Sequence, residues 1–284
     1  MNRMQKKSVL AISSHVARGT VGNRASAFAL EILQFPVWSV PTVILPWHPG
    51  HGISTRIIPE AKQFSAFLHD IKRAKWVGEI GGILTGYMAN EEQVYDVASL
   101  ISALKKNAPE IIYVCDPVLG DTGGLYVPDA TAAAIRDHLI PLCDIATPNK
   151  FELEWLTGKH SLTNANEEVA AARTLGPKEV LVTSASAFMK NNIANLLVSE
   201  KLALMAEHRL IANAPNGTGD LIAAVFLAHK LSGLTNEQNL QRTSASVFEI
   251  LASAANRGSD ELMLETDSGS LIRPAAMVQT RNLI

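Results

Sequence analysis

The sequence predicts an α/β fold of three layers, α/β/α, with a mainly parallel central sheet and helices on both faces. Three observations predict it. Short apolar runs alternate with segments of helical period over most of the 284 residues, and such alternation implies crossover connections. Hydrophobic residues make up 47%, enough for a sizeable core. No linker, low-complexity segment or internal repeat interrupts the pattern, so residues 1–284 read as one domain.

Residues 8–12 form the first strand, followed by a loop over 13–21 and a helix from Gly22 to about Phe35. Residues 37–44 read as a second strand, and Pro41, which cannot donate to a ladder, places it at an edge. The stretch Pro46-Trp-His-Pro-Gly-His-Gly52 is a loop. Ala61, Phe64, Phe67, Leu68 and Ile71 recur at helical spacing and predict a helix over 59–70. Residues 82–85 form a short strand, and Asn90 with Gln93 resembles a capping box opening a helix to about Lys106. Residues 111–116 are a strand closing on Asp-Pro. Helix over 131–139, strand over 144–147, helices over 152–157 and 164–175, and strand over 180–183 follow. Residues 193–198 and 201–208 read as an antiparallel pair. Thr235 and Gln238 cap a long helix ending near Ala255, and the tail after Gly258 carries little pattern.

The formal net charge of −2, from 25 basic and 27 acidic residues, gives no electrostatic reason to bind nucleic acid or an anionic membrane. Basic residues are scattered apart from Arg3, Lys6 and Lys7. Cys115 and Cys143 sit in apolar surroundings and suggest core residues in a reducing compartment. The apolar run from Val9 is broken by Ser13, Ser14 and His15, too short for a secretory signal, and no apolar stretch reaches membrane-span length. The expectation is a soluble cytoplasmic protein.

The chemistry concentrates in Asn213-Ala-Pro-Asn-Gly-Thr-Gly-Asp-Leu-Ile222 and the apolar run after it. Pro215 and Asn216 make a turn, Gly217 and Gly219 free the backbone, and a buried helix follows with Asp220 in its first turn. Unpaired N–H groups and the positive end of the dipole suit that point to an anion. A carboxylate beside such an anion hole can accept the proton of an attacking hydroxyl, the equipment of a phosphotransferase. The helix dipole is expected to lower the pKa of Asp220. By itself Gly-Thr-Gly-Asp is equally a loop with an N-terminal helix acid. In open α/β sheets ligands bind beyond the carboxyl ends of the strands, where this loop and those at 13–23, 46–52, 86–90, 116–124, 147–152 and 183–186 fall.

Four segments then carry a resemblance: Ser14-His-Val-Ala-Arg-Gly-Thr-Val-Gly-Asn23, Asp116-Pro-Val-Leu-Gly-Asp121, Thr147-Pro-Asn-Lys-Phe-Glu152 and Gly217-Thr-Gly-Asp220. In order and spacing they resemble the signature segments of the ribokinase-like superfamily. The first, with Leu84-Thr-Gly-Tyr87, resembles the pyridoxal kinases in particular. The resemblance runs from Val9 to about Leu231 and implies a single ribokinase-like kinase domain. It also implies ATP-dependent phosphorylation of the 5′-hydroxyl of pyridoxal, pyridoxine and pyridoxamine, for vitamin B6 salvage, by a homodimer.

Residue by residue, the resemblance implies Asp220 as base and the amides of Gly217, Thr218 and Gly219 as the cradle of the transferring phosphate. By the same resemblance Asp116, Asn149 and Glu152 would lie near ATP and Mg²⁺, with Asp121 contributing to the metal site. Thr147 and Thr183 match positions that in relatives contribute oxygens to a monovalent cation, K⁺ or Na⁺, and Ser184 would lie beside the nucleotide. An ordinary helix-capping pair also explains the Asn149–Glu152 spacing. Ser14 serves the pyridine ring, its hydroxyl being both donor and acceptor, while Ser13 stands one position away. Tyr87 closes over the substrate or fills the interior.

His48 and His51 lack a third ligand for a metal, so the loop at 46–52 reads as pocket wall. Where that family loop usually carries a threonine after the histidine, this chain has Pro49; backbone groups or His51 are the candidates to replace the missing hydroxyl. Residues 122–127 are shorter than in many relatives, and Leu125 stands where some carry a cysteine. The altered loop keeps one rival open, a hydroxymethylpyrimidine or sugar kinase of the same superfamily; a second rival is a non-catalytic carrier or regulator binding pyridoxal 5′-phosphate, against which the intact Asp116, Glu152 and Gly217–Asp220 argue.

Overall fold

The computed structural model describes residues 6–212 and 214–284. Arg3 and Asn213, named above, lie outside the described residues. Eleven strands and nine α-helices occur among the described residues: β1 (Ser8–Val16), α1 (Asn23–Ile32), β2 (Val37–Leu45), α2 (Ala61–Arg73), β3 (Ile80–Thr85), α3 (Glu91–Asn107), β4 (Ile112–Cys115), β5 (Gly120–Asp121), β6 (Gly124–Leu125), α4 (Asp129–Ala134), β7 (Ile145–Ala146), α5 (Lys150–Thr157), α6 (Ala165–Ala172), β8 (Glu179–Ala185), β9 (Asn192–Val198), β10 (Ala203–Arg209), α7 (Thr218–Leu231), α8 (Asn236–Asn256), α9 (Leu264–Ile272) and β11 (Gln279–Asn282).

Nine strands form one sheet in the order β11-β10-β9-β8-β7-β4-β3-β1-β2. From β8 to β2 every pairing is parallel, while β9, β10 and β11 add antiparallel neighbours. The alternation of side chains along each strand divides the core. Val9, Val114, Ile145, Leu181 and Leu197 pack under α1, α7, α8 and α9. Leu10, Ile83, Tyr113 and Cys115 face α2, α3 and α4. Val180, Val182 and Leu196 continue that second face beneath α5 and α6. These are the three layers the sequence implies, and β2 with its Pro41 lies at the edge as expected.

The centre of the first face is α7. Its residues Leu221 to Phe226 are all 5% exposed or less, and each large apolar side chain buried there contributes roughly 1.5–3 kcal/mol. A helix anchored that firmly holds its own N-terminus still, which is where the glycine loop ends. β1 and β3 are neighbours, yet the chain leaves β1 toward β2 and returns to start β3 on the other side. The carboxyl ends of those strands therefore open a crevice at a topological switch point.

Three expectations need correction. The tail after Gly258 is structured: α9 buries Leu264 and Leu271, and β11 pairs with β10. Asn90 accepts from Gln93 N at 2.9 Å, but the Gln93 side chain accepts from Ala89 N, so the box is half closed. The helix expected over 131–139 is α4 running into a π-helical turn at Ile135–Leu139, before Pro141. No helix among the described residues is long and apolar enough to cross a membrane.

Candidate active site

The loops at the strand ends enclose a cavity of about 620 Å³. On one side it is lined by Ser14, Val21, Leu45, His48, Pro49, Gly50, Arg56 and Tyr87, and on the other by Asp116, Val118, Asp121, Tyr126, Thr147, Asn149, Glu152, Thr183 and Ser184. Asn216, Gly217, Gly219 and Asp220 lie between the two groups. The candidate acids, Ser14, His48, Pro49, Tyr87, Thr147, Asn149, Thr183, Ser184, Gly217 and Gly219 all line this cavity, whereas His51 and Thr218 do not. The Thr218 hydroxyl turns away and donates to the Pro215 carbonyl at 3.3 Å.

Gly217 caps α7 in the left-handed region, with φ of 92°. A Cβ there would sit 2.1 Å from the Thr20 carbonyl oxygen, so glycine is required both for the turn and for this close approach. At Gly219 a Cβ would meet only Asp116 Oδ2, at 3.9 Å, and the space above the first turn is open. Amides and the positive helix end face that space.

Burial raises the pKa of Asp220 to about 6, with the Gly22 backbone N–H pulling the other way. This reverses the expectation from the dipole: desolvation in the crevice outweighs the helix end. The group remains largely ionised at neutral pH and becomes a better base. Asp116, 7% exposed, is also raised, first by burial and then by the charges of Glu152 and Asp220. Its Oδ1 accepts from the Thr147 hydroxyl at 3.1 Å. Glu152 is raised to about 7 by burial, which three backbone amides partly offset.

Glu152 caps a helix and also lines the cavity. Its Oε2 accepts from Asn149 N at 2.8 Å, and the Asn149 side chain accepts from Glu152 N at 2.9 Å, closing a full capping box. Oε1 accepts from Leu119 N at 2.8 Å and Gly120 N at 3.4 Å. The Asn149 amide donates to the Gly120 carbonyl at 2.8 Å. One buried carboxylate thus fixes the loop after β4 against the start of α5. Within that loop Val118 holds a positive φ of 23°, rare for a β-branched residue, and near the end of β8 Ser184 holds one of 52°. Asp121 lines the cavity, but both its oxygens are engaged inside the β5–β6 hairpin, by Gly123 N and the Tyr126 hydroxyl.

At the end of β1 the register shifts between Ser13 and His15. That bulge sends the two serines different ways. Ser13 is buried and its hydroxyl accepts from Tyr87 N at 3.1 Å, whereas Ser14 faces the cavity. His48 Nδ1 accepts from Gly50 N at 3.1 Å, which leaves Nε2 to carry the ring proton of the neutral imidazole. Burial, then the neighbouring His51, lowers the His48 pKa and favours that neutral form. His51 does not replace the missing hydroxyl: its Nε2 lies 3.0 Å from Glu261 Oε1, and the ring is absent from the cavity wall. Gly50 and the Pro49 ring form that wall instead.

Sequence reasoning missed Arg56, Val118, Tyr126 and Asn216. Arg56 donates to the Tyr87 hydroxyl and places a guanidinium at the Ser14 side of the cavity. It sits in a stretch without periodicity, so only the folded chain reveals it. Leu125 packs against the core, and Cys115 and Cys143 are buried within it, as expected.

Among the described residues no three His, Cys, Asp or Glu side chains form a ready metal cage. Mg²⁺ asks for less, usually one or two carboxylates plus waters and substrate phosphates. Asp116 and Glu152 fit that demand: two buried acids, each carrying a raised pKa, in a place where a cation would relieve the repulsion.

A family model described as phosphomethylpyrimidine kinase matches residues 59–264. Pyridoxal kinase PdxY of Corynebacterium diphtheriae is 31% identical over 281 residues, covering 97% of this chain and 99% of that one. Pyridoxal kinase PdxY of Rubrobacter xylanophilus is 33% identical over 282 residues, covering 97% of each. Pyridoxal kinase from Leishmania donovani in complex with ADP and pyridoxamine superposes with a TM-score of 0.90 at 25% identity, covering 98% of this chain and all of that one. The pyridoxal kinase of Entamoeba histolytica, at 24% identity, shares the fold with a TM-score of 0.90.

Proposed function

The chain belongs to the pyridoxal kinase family, within the ribokinase-like superfamily, and on that premise we propose how its cavity works. It is an ATP-dependent kinase that phosphorylates the 5′-hydroxyl of pyridoxal, pyridoxine or pyridoxamine. One observation supports this reading above the others. Asp220 lies between two unlike walls, one with a serine, a histidine and an aromatic ring suited to a substituted pyridine, the other with acids and glycine amides suited to a nucleotide's phosphates.

The substrate ring rests between Ser14, the Nε2–H of His48 and Tyr87, with its hydroxymethyl group toward Asp220. The Asp220 carboxylate accepts the hydroxyl proton as that oxygen bonds to the γ-phosphorus and the bond to the β-phosphate oxygen breaks. The amides of Gly217 and Gly219, with the helix end, hold the charge of the transferring group. Positioning matters more than basicity for such a loose transition state. Asp116 and Glu152 would hold Mg²⁺, which would neutralise charge on the terminal phosphates. Thr147 and Thr183 supply oxygens to a monovalent cation, K⁺ or Na⁺, and Ser184 and Asn149 flank the nucleotide. One kinase domain spanning 1–284, working as a cytoplasmic homodimer, completes the proposal.

Turnover measured with MgATP on pyridoxal and on hydroxymethylpyrimidine tests it. The expected result is pyridoxal 5′-phosphate formation with a clear preference for pyridoxal. No phosphorylation of pyridoxal, or a preference for the pyrimidine, overturns it.

A further inference from the structure

Glu261 follows α8 and lies outside the four signature segments, yet it is only 8% exposed. Its carboxylate takes partners from two loops that wall the substrate side of the cavity. Oε1 lies 3.0 Å from His51 Nε2 and 3.5 Å from Arg18 Nη1, and Oε2 accepts from the Thr20 N–H at 3.2 Å. The Thr20 hydroxyl donates to the Leu262 carbonyl at 2.7 Å, and Arg18 Nη2 donates to both Asp260 carboxylate oxygens at 2.9 and 3.0 Å. Gly19, at φ of 105°, passes so near that a Cβ would lie 2.4 Å from Glu261 Oε1. The Ser259 hydroxyl donates to the Glu261 carbonyl at 2.7 Å, which stiffens the segment between α8 and α9.

The partner His51 ends the turn at Pro49–His51, whose earlier members Pro49 and Gly50 line the cavity beside His48. The two histidine rings meet edge to face, with centroids 6.3 Å apart. Fixing His51 therefore fixes the backbone that presents His48. Hydrogen bonds to a buried charged acceptor are stronger than neutral ones, and losing the acceptor leaves the Thr20 N–H and His51 without it.

We propose that Glu261 is a positioning residue for the vitamer-binding wall, locking the 48–51 turn through His51 and the 18–20 loop through Thr20 and Arg18. It thereby sets affinity for the ring-bearing substrate and not the rate of transfer. This rests on the pyridoxal kinase reading above.

Steady-state kinetics on the full chain test it, with pyridoxal varied at saturating MgATP and then the reverse. Glu261→Ala and His51→Ala should each raise KM for pyridoxal about tenfold, with kcat within about threefold of wild type and KM for ATP unchanged. Because the two residues act as one unit, the double variant should be no worse than Glu261→Ala. Glu261→Gln, which keeps an acceptor for Thr20 and a donor for His51, should recover part of the loss. Asp260→Ala removes only an exposed ion pair and should stay within about twofold of wild type. Wild type that fails on pyridoxal sinks the parent reading. Wild type that succeeds while Glu261→Ala keeps KM within about twofold overturns this one. Where Glu261→Ala does not fold, His51→Ala decides by the same threshold.

Discussion

Asp116→Asn should make the ligand-free protein more stable while destroying its activity. Asp116, Glu152 and Asp220 are drawn into one crevice, where burial raises all three pKa values and the charges of Glu152 and Asp220 raise that of Asp116 further. A folded-state pKa above the unfolded value means stability that is full at low pH and lost as pH rises through the folded value. For Asp220 that window runs from 3.8 to about 6, and for Glu152 from 4.5 to about 7. At pH 8 all three charges oppose folding. Asparagine removes one charge, keeps an acceptor for the Thr147 hydroxyl and gains an amide that can donate to the neighbouring carboxylates. Removing one poorly compensated buried charge is worth about 1–3 kcal/mol here, since part of the burial cost of the other two remains. For a chain of this size that raises Tm by about 2–10 °C. Calorimetry without nucleotide or metal, at pH 8 and pH 5, reads it directly. The variant should melt above wild type at pH 8, with the gap shrinking at pH 5. A variant that melts below wild type at pH 8, or a gap unchanged between the two pH values, refutes the reasoning.

Two further outcomes follow from the same geometry. Because Asp220 must be ionised to accept a proton, kcat/KM for pyridoxal should fall about tenfold per pH unit below its value of about 6, and a pH–rate profile with its acid limb nearer 4 would contradict that. Gly217→Ala combines a positive φ with a 2.1 Å overlap on the Thr20 carbonyl, so denaturant melts should show about 2–4 kcal/mol lost and kcat/KM should fall about a hundredfold; a variant as stable and active as wild type would show that the loop tolerates another path.

Much of this architecture is legible in the sequence because local rules and tertiary context agree. Pro41 marks an edge strand, Thr235 with Gln238 closes a capping box, and the apolar run after Asp220 becomes the central buried helix. The tail was not legible, since α9 buries few apolar residues and β11 is polar; its strand exists because β10 offers an open edge. The site divides the same way. Glycines, acids and threonines at strand ends carry a pattern in the chain, and they do converge on one cavity. The pKa of Asp220 went the other way because a dipole can be read from position but burial cannot. Arg56 and Glu261 escaped because each reaches the site region from a segment without a motif, through partners distant in sequence.

Replacing Asp220 by asparagine isolates its role as proton acceptor. Asparagine keeps the size of the side chain and loses only the ability to take a proton as a carboxylate. In the Asn variant kcat for pyridoxal should fall about 10²–10⁴-fold with KM for ATP little changed. A variant that retains kcat within about tenfold of wild type would contradict that role.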